Sequence, residues 1–210
     1  MVGWAGAGRV WSAVLFWVLS WTLLGTAAAG PQTPGAVSAV AQWAFAGGDA
    51  AGRPFAVVDK QQARIFVFAA DGRLAGSAPA LLGLARGDAS APGVGTRVLA
   101  GIPPQQRTTP AGRFESEPGH NLQGEAIVWV DYDAAVAVHR LRPAPADERR
   151  PQRLASESPD DNRISLGCIV VAEVFYDTVV APLLGRQRGV VYVLPETRDW
   201  TEVFSAAAGV

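Results

Sequence analysis

Cys168 is the only cysteine in the chain. It stands in Asn162-Arg163-Ile164-Ser165-Leu166-Gly167-Cys168-Ile169-Val170-Val171, directly after a glycine and before an apolar, β-branched run. A single thiol cannot close an internal disulfide, and alone it cannot build a structural zinc site. Its chemistry is therefore that of a nucleophile or a redox thiol, against the alternative of a buried, inert side chain. The preceding Gly167 removes a side chain where backbone approaches a substrate or where positive φ is required. The candidate bases are equally few, because the chain holds two histidines, His120 and His139.

A free thiol has a pKa of about 8.5, so a nucleophilic cysteine needs a base or a positive field beside it. His139 falls at the end of a predicted strand, where a side chain is held rigidly, and is the favoured base. His120 falls in Glu117-Pro118-Gly119-His120-Asn121, which reads as an exposed turn. Ser165 either orients a group in the site or caps a turn. The amide of Gly167 or Cys168 is placed to donate to an oxyanion developing on an attacked carbonyl. Arg163 either grips a substrate carboxylate or pairs with Asp161 at the surface.

Short runs rich in Val, Ile, Phe and Trp, separated by turn residues, predict a mainly β domain. Strands are expected at 55–59, 63–68 and 73–77, with Asp71-Gly72 as a hairpin turn. Further strands are expected at 113–116, 126–132, 134–140 and 189–194. Apolar spacing from 172 to 184 predicts one helix after the cysteine. The connection from Leu141 to Asp161 is polar and proline-broken, and long surface connections of this kind often serve function. The fold class expected is α+β but mainly β, a β-sandwich of mixed sheets with one or two short helices.

The first residues differ in kind. Arg9 precedes an apolar run from Val10 to Leu24, and small residues follow to Gly30. This is the pattern of a secretory signal over 1–29, with an uncleaved membrane anchor as the alternative. Either implies export to the periplasm or cell envelope. Residues 30–53, rich in Ala, Gly and Pro, read as a linker, although Val37 to Phe45 can form a short helix. The domain is expected over 54–196, with 197–210 as a peripheral tail. The formal net charge is −1, which gives no sign of a nucleic-acid partner. No phosphate loop, metal-ligand cluster or internal repeat is visible, and no cofactor is expected.

Ser165-Leu166-Gly167-Cys168 with His139 upstream resembles the catalytic domain of the L,D-transpeptidase (YkuD-type) family, whose signature is a strand histidine followed by Ser-x-Gly-Cys. Thr108-Thr109-Pro110-Ala111-Gly112-Arg113-Phe114 is similar to that family's Thr-Pro-x-Gly-x-Phe block, and Val190-Val191-Tyr192-Val193-Leu194 to its closing strand. The resemblance implies a peptidoglycan enzyme with Cys168 and His139 as catalytic residues and Arg163, Ser165, Leu166 and Gly167 around the substrate and oxyanion. Cys168 would attack the carbonyl of the third residue, usually diaminopimelate, of a stem tetrapeptide and expel D-alanine. The acyl group would then pass to another stem's amine, to a lipoprotein amine or to water. One amide is exchanged for another, so neither ATP nor metal is required.

The chain departs from the family pattern at three places. Arg140 follows the histidine where glycine is frequent, Leu166 replaces a polar residue, and Val170 stands where Arg or Asn is common. These departures support an alternative, a catalytically degenerate domain that binds peptidoglycan or scaffolds a wall-remodelling partner. A sortase also places histidine before cysteine but needs a strand arginine, and Arg186 and Arg188 lie between Gly185 and Gly189 in an expected turn.

Overall fold

The computed structural model describes residues 1–3 and 35–204. Residues 4–29, where the leader was expected, lie outside the described residues. The chain divides into a unit of residues 1–30 and a unit of residues 31–210, and the structure below belongs to the second.

Among its described residues are ten strands: β1 (Phe55–Asp59), β2 (Arg64–Phe68), β3 (Leu74–Pro79), β4 (Leu82–Gly83), β5 (Gly112–His120), β6 (Ala126–Asp131), β7 (Val136–Arg140), β8 (Arg163–Ser165), β9 (Ile169–Val171) and β10 (Gly189–Val193). Eight of them build one mixed sheet in the order β3-β2-β1-β10-β5-β6-β7-β9, and β4 pairs with β8 in a separate two-stranded sheet. The β1–β10, β7–β9 and β4–β8 pairs are parallel. The architecture is mainly β with short helices, as the residue pattern predicts.

Side chains alternate along the strands, so the sheet buries two different apolar layers. Ala56, Val58, Ile65, Val67, Val128, Val138, Ile169, Val171 and Val191 face one layer, which Leu82 of β4 joins. Over it lies a continuous helical stretch made of α3 (Glu173–Phe175), a π-helical segment (Tyr176–Val180) and α4 (Ala181–Leu183). Tyr176, Val180 and Leu184 supply its buried side. The π segment shifts the register by one residue, so the strict helical spacing expected from sequence does not run through.

Phe55, Val57, Phe66, Phe68, Val190 and Tyr192 face the second layer. It is covered by α1 (Gly35–Ala46), through Val37, Val40, Ala41 and Ala44, which share one side of a helix. The expected linker is therefore partly a core element of the domain. The tail is likewise not peripheral, since α5 (Trp200–Val203) and the buried Phe204 pack into the same layer. The short helix expected at Val37 to Phe45 is present as α1, but low complexity hid its packing, because alanine and glycine suggest a spacer rather than a buried face.

The connection from β7 to β8 carries α2 (Arg150–Leu154), whose Leu154 is buried against Leu81 and Val170. It is thus a packed crossover, as a parallel pair requires. His120 is the last residue of β5 and exposed, not part of a turn. β5 runs through 117–120 despite Pro118 because it pairs with β6 there, His120 opposite Ala126.

Candidate active site

The parallel β7–β9 ladder sets Val138 opposite Ile169 and His139 opposite Val170. Val138, Ile169 and Val171 point into the core, so alternation turns His139, Cys168 and Val170 to the opposite face. Cys168, immediately before β9, and His139 on β7 thus lie on the same side of the sheet, Cys168 two residues before the ladder partner of His139. Cys168 and Val170 meet Leu81, Leu154, Leu141 and Ile164 on that face.

His139 is almost fully buried, and its Nδ1 lies 2.7 Å from the Arg140 carbonyl oxygen. A carbonyl only accepts, so Nδ1 carries the proton and Nε2 is left as the basic nitrogen. Burial is the main cause that lowers the imidazole's pKa to about 4, so the ring is neutral near pH 7. The Cys168 thiol is partly buried and donates to the Ala135 carbonyl at 3.6 Å. Burial pushes its pKa above the ordinary thiol value, while the Ala137 amide and the Arg142 charge oppose that shift. The resting pair is therefore a neutral thiol and a neutral imidazole with a defined tautomer.

The turn before the thiol is held by two hydroxyls. Ser165 Oγ accepts the Gly167 N–H at 3.1 Å and donates to the Cys168 carbonyl at 2.6 Å. Thr109 Oγ1 accepts the Gly83 N–H at 2.9 Å and donates to the Gly167 carbonyl at 2.8 Å. Ser165 is therefore a turn cap. Gly167 has φ +138°, and a Cβ there would lie 2.9 Å from the Thr108 carbonyl oxygen, so glycine is needed both for conformation and for space. The Gly167 amide is already bonded inside the turn, which corrects its candidacy as an oxyanion donor and leaves the Cys168 amide.

Arg163 is also corrected. It is buried, its guanidinium pairs with Glu196, and it donates to the Lys60 carbonyl at 2.6 Å. Asp161 instead accepts from Arg153 and Ser156. Lys60, fully buried, joins the same cluster through Asp88 at 2.8 Å and Glu196 at 3.7 Å. Arg163 thus anchors the strand leading to Cys168 and has no free fork for a substrate carboxylate. Leu166 is half-buried in the turn. Arg140, the departure after the histidine, is committed to Asp177, the Ala126 carbonyl and the Tyr176 ring.

Sequence reasoning missed Arg142, whose positive charge bears on both His139 and Cys168. It lines a cleft of about 480 Å³ with Gln123, Glu125, Arg140, Leu141, Pro143 and Glu173. Period-two alternation in His139-Arg140-Leu141-Arg142 places residue 142 on the side of 140 rather than 139, so the spacing carries no signal for it and only the chain's exit from β7 brings it near. Among the described residues no cluster of metal-ligand side chains occurs, and no helix is long and apolar enough to cross a membrane.

No protein-family model and no curated protein matches the chain. Solved structures do match. The fold is similar to those of L,D-transpeptidases. The helical cell shape determining protein Pgp2 from Campylobacter jejuni is 15% identical over 70% of this chain and 49% of its own, with a TM-score of 0.46. LD transpeptidase LdtMt1, solved with imipenem, is 17% identical over 67% of this chain and 58% of its own, at 0.38. The catalytic domain from the E. faecium L,D-transpeptidase is 17% identical over 68% of this chain and 98% of its own, at 0.37. The chain spans about half the length of the first two.

Proposed function

We infer that the protein is a cysteine acyltransferase acting on peptidoglycan stem peptides, by L,D-transpeptidation or L,D-carboxypeptidation through a Cys168 thioester. The observation that carries the reading is the shared face of Cys168 and His139 on paired strands, with Nδ1 tied to a carbonyl. That arrangement leaves Nε2 as the one basic nitrogen of the imidazole. Nε2 of His139 takes the thiol proton as sulfur attacks the peptide carbonyl, and the Cys168 amide donates to the developing oxyanion. The carbon–nitrogen bond then breaks, the departing D-alanine amine takes the proton from the imidazolium, and a thioester remains. An incoming amine or water gives its proton to Nε2, attacks the thioester and releases the thiol. The substrate follows from the sequence resemblance, and export to the cell envelope from the leader pattern.

Incubation of the purified protein with tetrapeptide muropeptides tests the proposal. D-Alanine release, with an acyl adduct at Cys168 that is absent from Cys168→Ala, is the expected result. Carbapenem acylation of Cys168 is the expected parallel. Binding without either product would instead favour the degenerate domain, a reading that the apolar Leu166 and Val170 support.

A further inference from the structure

Strand register sets a row of residues across the sheet on the face that carries Cys168. Glu117 of β5 stands opposite Trp129 of β6, and Trp129 opposite Ala137 of β7. Val138 pairs with Ile169, so Cys168 lies level with Ala137. Val128, Val130, Val136, Val138 and Ile169 point into the core layer on the other side, and alternation turns Trp129, Ala137 and Cys168 to one face. With neighbouring strands about 4.8 Å apart, the backbone positions of Trp129 and Cys168 lie about 10 Å apart across the ladder.

Beyond Trp129 the row reaches a cavity of about 360 Å³ where β1 and β10 begin, its wall carrying Arg53, Glu115, Glu117 and Arg188. These charges are answered in pairs, Arg53 with Glu115 at 3.1 Å and Arg188 with Glu117 at 3.1 Å. Opposite Glu117, the Trp129 indole lies over the backbone of Gly119, where a Cβ would come within 2.5 Å of the ring. The indole is half-buried, and the exposed Tyr132 ring stands against it at 5.1 Å and 63°.

A cavity with balanced charge favours neither an anion nor a cation. Paired guanidinium and carboxylate groups still keep unused N–H donors and oxygen lone pairs, and a hydroxyl answers both because it donates and accepts. A ring with an apolar face and a rim of hydroxyls therefore meets the indole with its face and the cavity with its rim. We propose that Trp129 and the Glu117–Arg188 cavity form a saccharide subsite, with a pyranose ring stacked on the indole and its hydroxyls bonded to Glu117 and Arg188. The inference rests on the acyl-transfer reading only for the identity of the sugar, the glycan to which the stem peptide is joined. On that reading the third stem residue lies at Cys168, and three extended residues span about 10 Å, the separation across the ladder.

Calorimetric titration of the Cys168→Ala protein uses three probes: a free stem tetrapeptide, the same peptide joined to its disaccharide, and a peptide-free N-acetylglucosamine tetrasaccharide. The disaccharide peptide should bind at least about tenfold more tightly than the free peptide, the scale of one aromatic stack and one hydrogen bond. The tetrasaccharide should bind on its own. Trp129→Leu, which keeps apolar bulk without a flat face, should erase most of the gap, and Trp129→Phe should restore part of it. Glu117→Ala, a change at an exposed side chain, should narrow the gap without unfolding the protein. Equal affinities for the two peptides in the parent, no tetrasaccharide binding, or an unchanged gap in Trp129→Leu would overturn the inference. Mass spectrometry of the protein with Cys168 intact keeps the two readings apart. A thioester formed equally well from both peptides would leave acyl transfer standing and remove the subsite. Tetrasaccharide binding that Trp129→Leu abolishes, with no thioester from either peptide, would keep the subsite and remove acyl transfer.

Discussion

Thr109 and Gly167, 58 residues apart in sequence, are joined by a 2.8 Å hydrogen bond from a buried hydroxyl to the carbonyl just before the thiol. The same hydroxyl accepts the Gly83 amide, so one side chain ties three chain segments together beside Cys168. Thr109→Val keeps the shape and removes the hydroxyl, leaving a buried donor and a buried acceptor without a partner. The expected cost is about 2–4 kcal/mol in urea unfolding, with a slower acylation of Cys168 even where the protein remains folded.

Gly167→Ala meets two obstacles, the positive φ and the Thr108 carbonyl 2.9 Å from the new methyl. Strain of this kind costs roughly 1–3 kcal/mol. The melting temperature should fall, and carbapenem acylation should slow by more than the loss of folded protein explains.

Glu196 lies at the centre of the buried cluster, with its side chain 1% exposed between Arg163 and Lys60. Glu196→Gln leaves two buried cations short of a countercharge, and removal of one partner from such a cluster costs about 3–5 kcal/mol. Denaturant midpoints measure the effect. An unchanged midpoint would show that Asp88 alone balances the cluster.

His139 sets a pH window for both stability and rate. Its folded pKa is about 4, below the ordinary 6.5, so between these values the unfolded chain binds more protons. Stability therefore rises with pH across pH 4 to 6.5 and is lost as pH falls through the same range. The amplitude is on the order of 3 kcal/mol, and His139→Gln should flatten it. The acid limb of kcat/KM should accordingly lie near 4 in the free protein, not near 6.5.

Burial holds the Cys168 thiol above its usual range, so alkylation by iodoacetamide should be slow at pH 7 and climb steadily into the alkaline region. A plateau of fast alkylation near neutrality would mean that a thiolate–imidazolium pair already exists at rest.

Much of this site was legible because its chemistry is scarce. One thiol and two histidines leave few pairings, and the strand pattern put His139 near the end of a strand, which is where it lies in β7. The Thr108–Phe114 and Ser165–Cys168 blocks were each visible, but their connection through the Thr109 hydroxyl depends on a tertiary approach that spacing does not encode. Arg163 misled for the same reason: its partner is Glu196, 33 residues further on at the very end of the expected domain. Arg142 was overlooked because its influence comes from where the chain leaves β7, beyond the reach of strand alternation. α1 was half-seen, its valines correctly suspected of helicity and its alanines mistaken for spacer.

The parallel pairing of β7 with β9 separates two duties along the chain. Backbone ladder bonds fix the strand that carries His139 against the strand that begins one residue after Cys168, whereas the crossover between those strands, with α2 and Leu154, packs against Cys168. On the proposed acyl-transfer reading, insertions or exchanges in that crossover reshape what enters without disturbing Cys168 and His139 beneath. A grafting experiment on residues 143–160 should therefore alter the choice of incoming nucleophile while first-step chemistry persists.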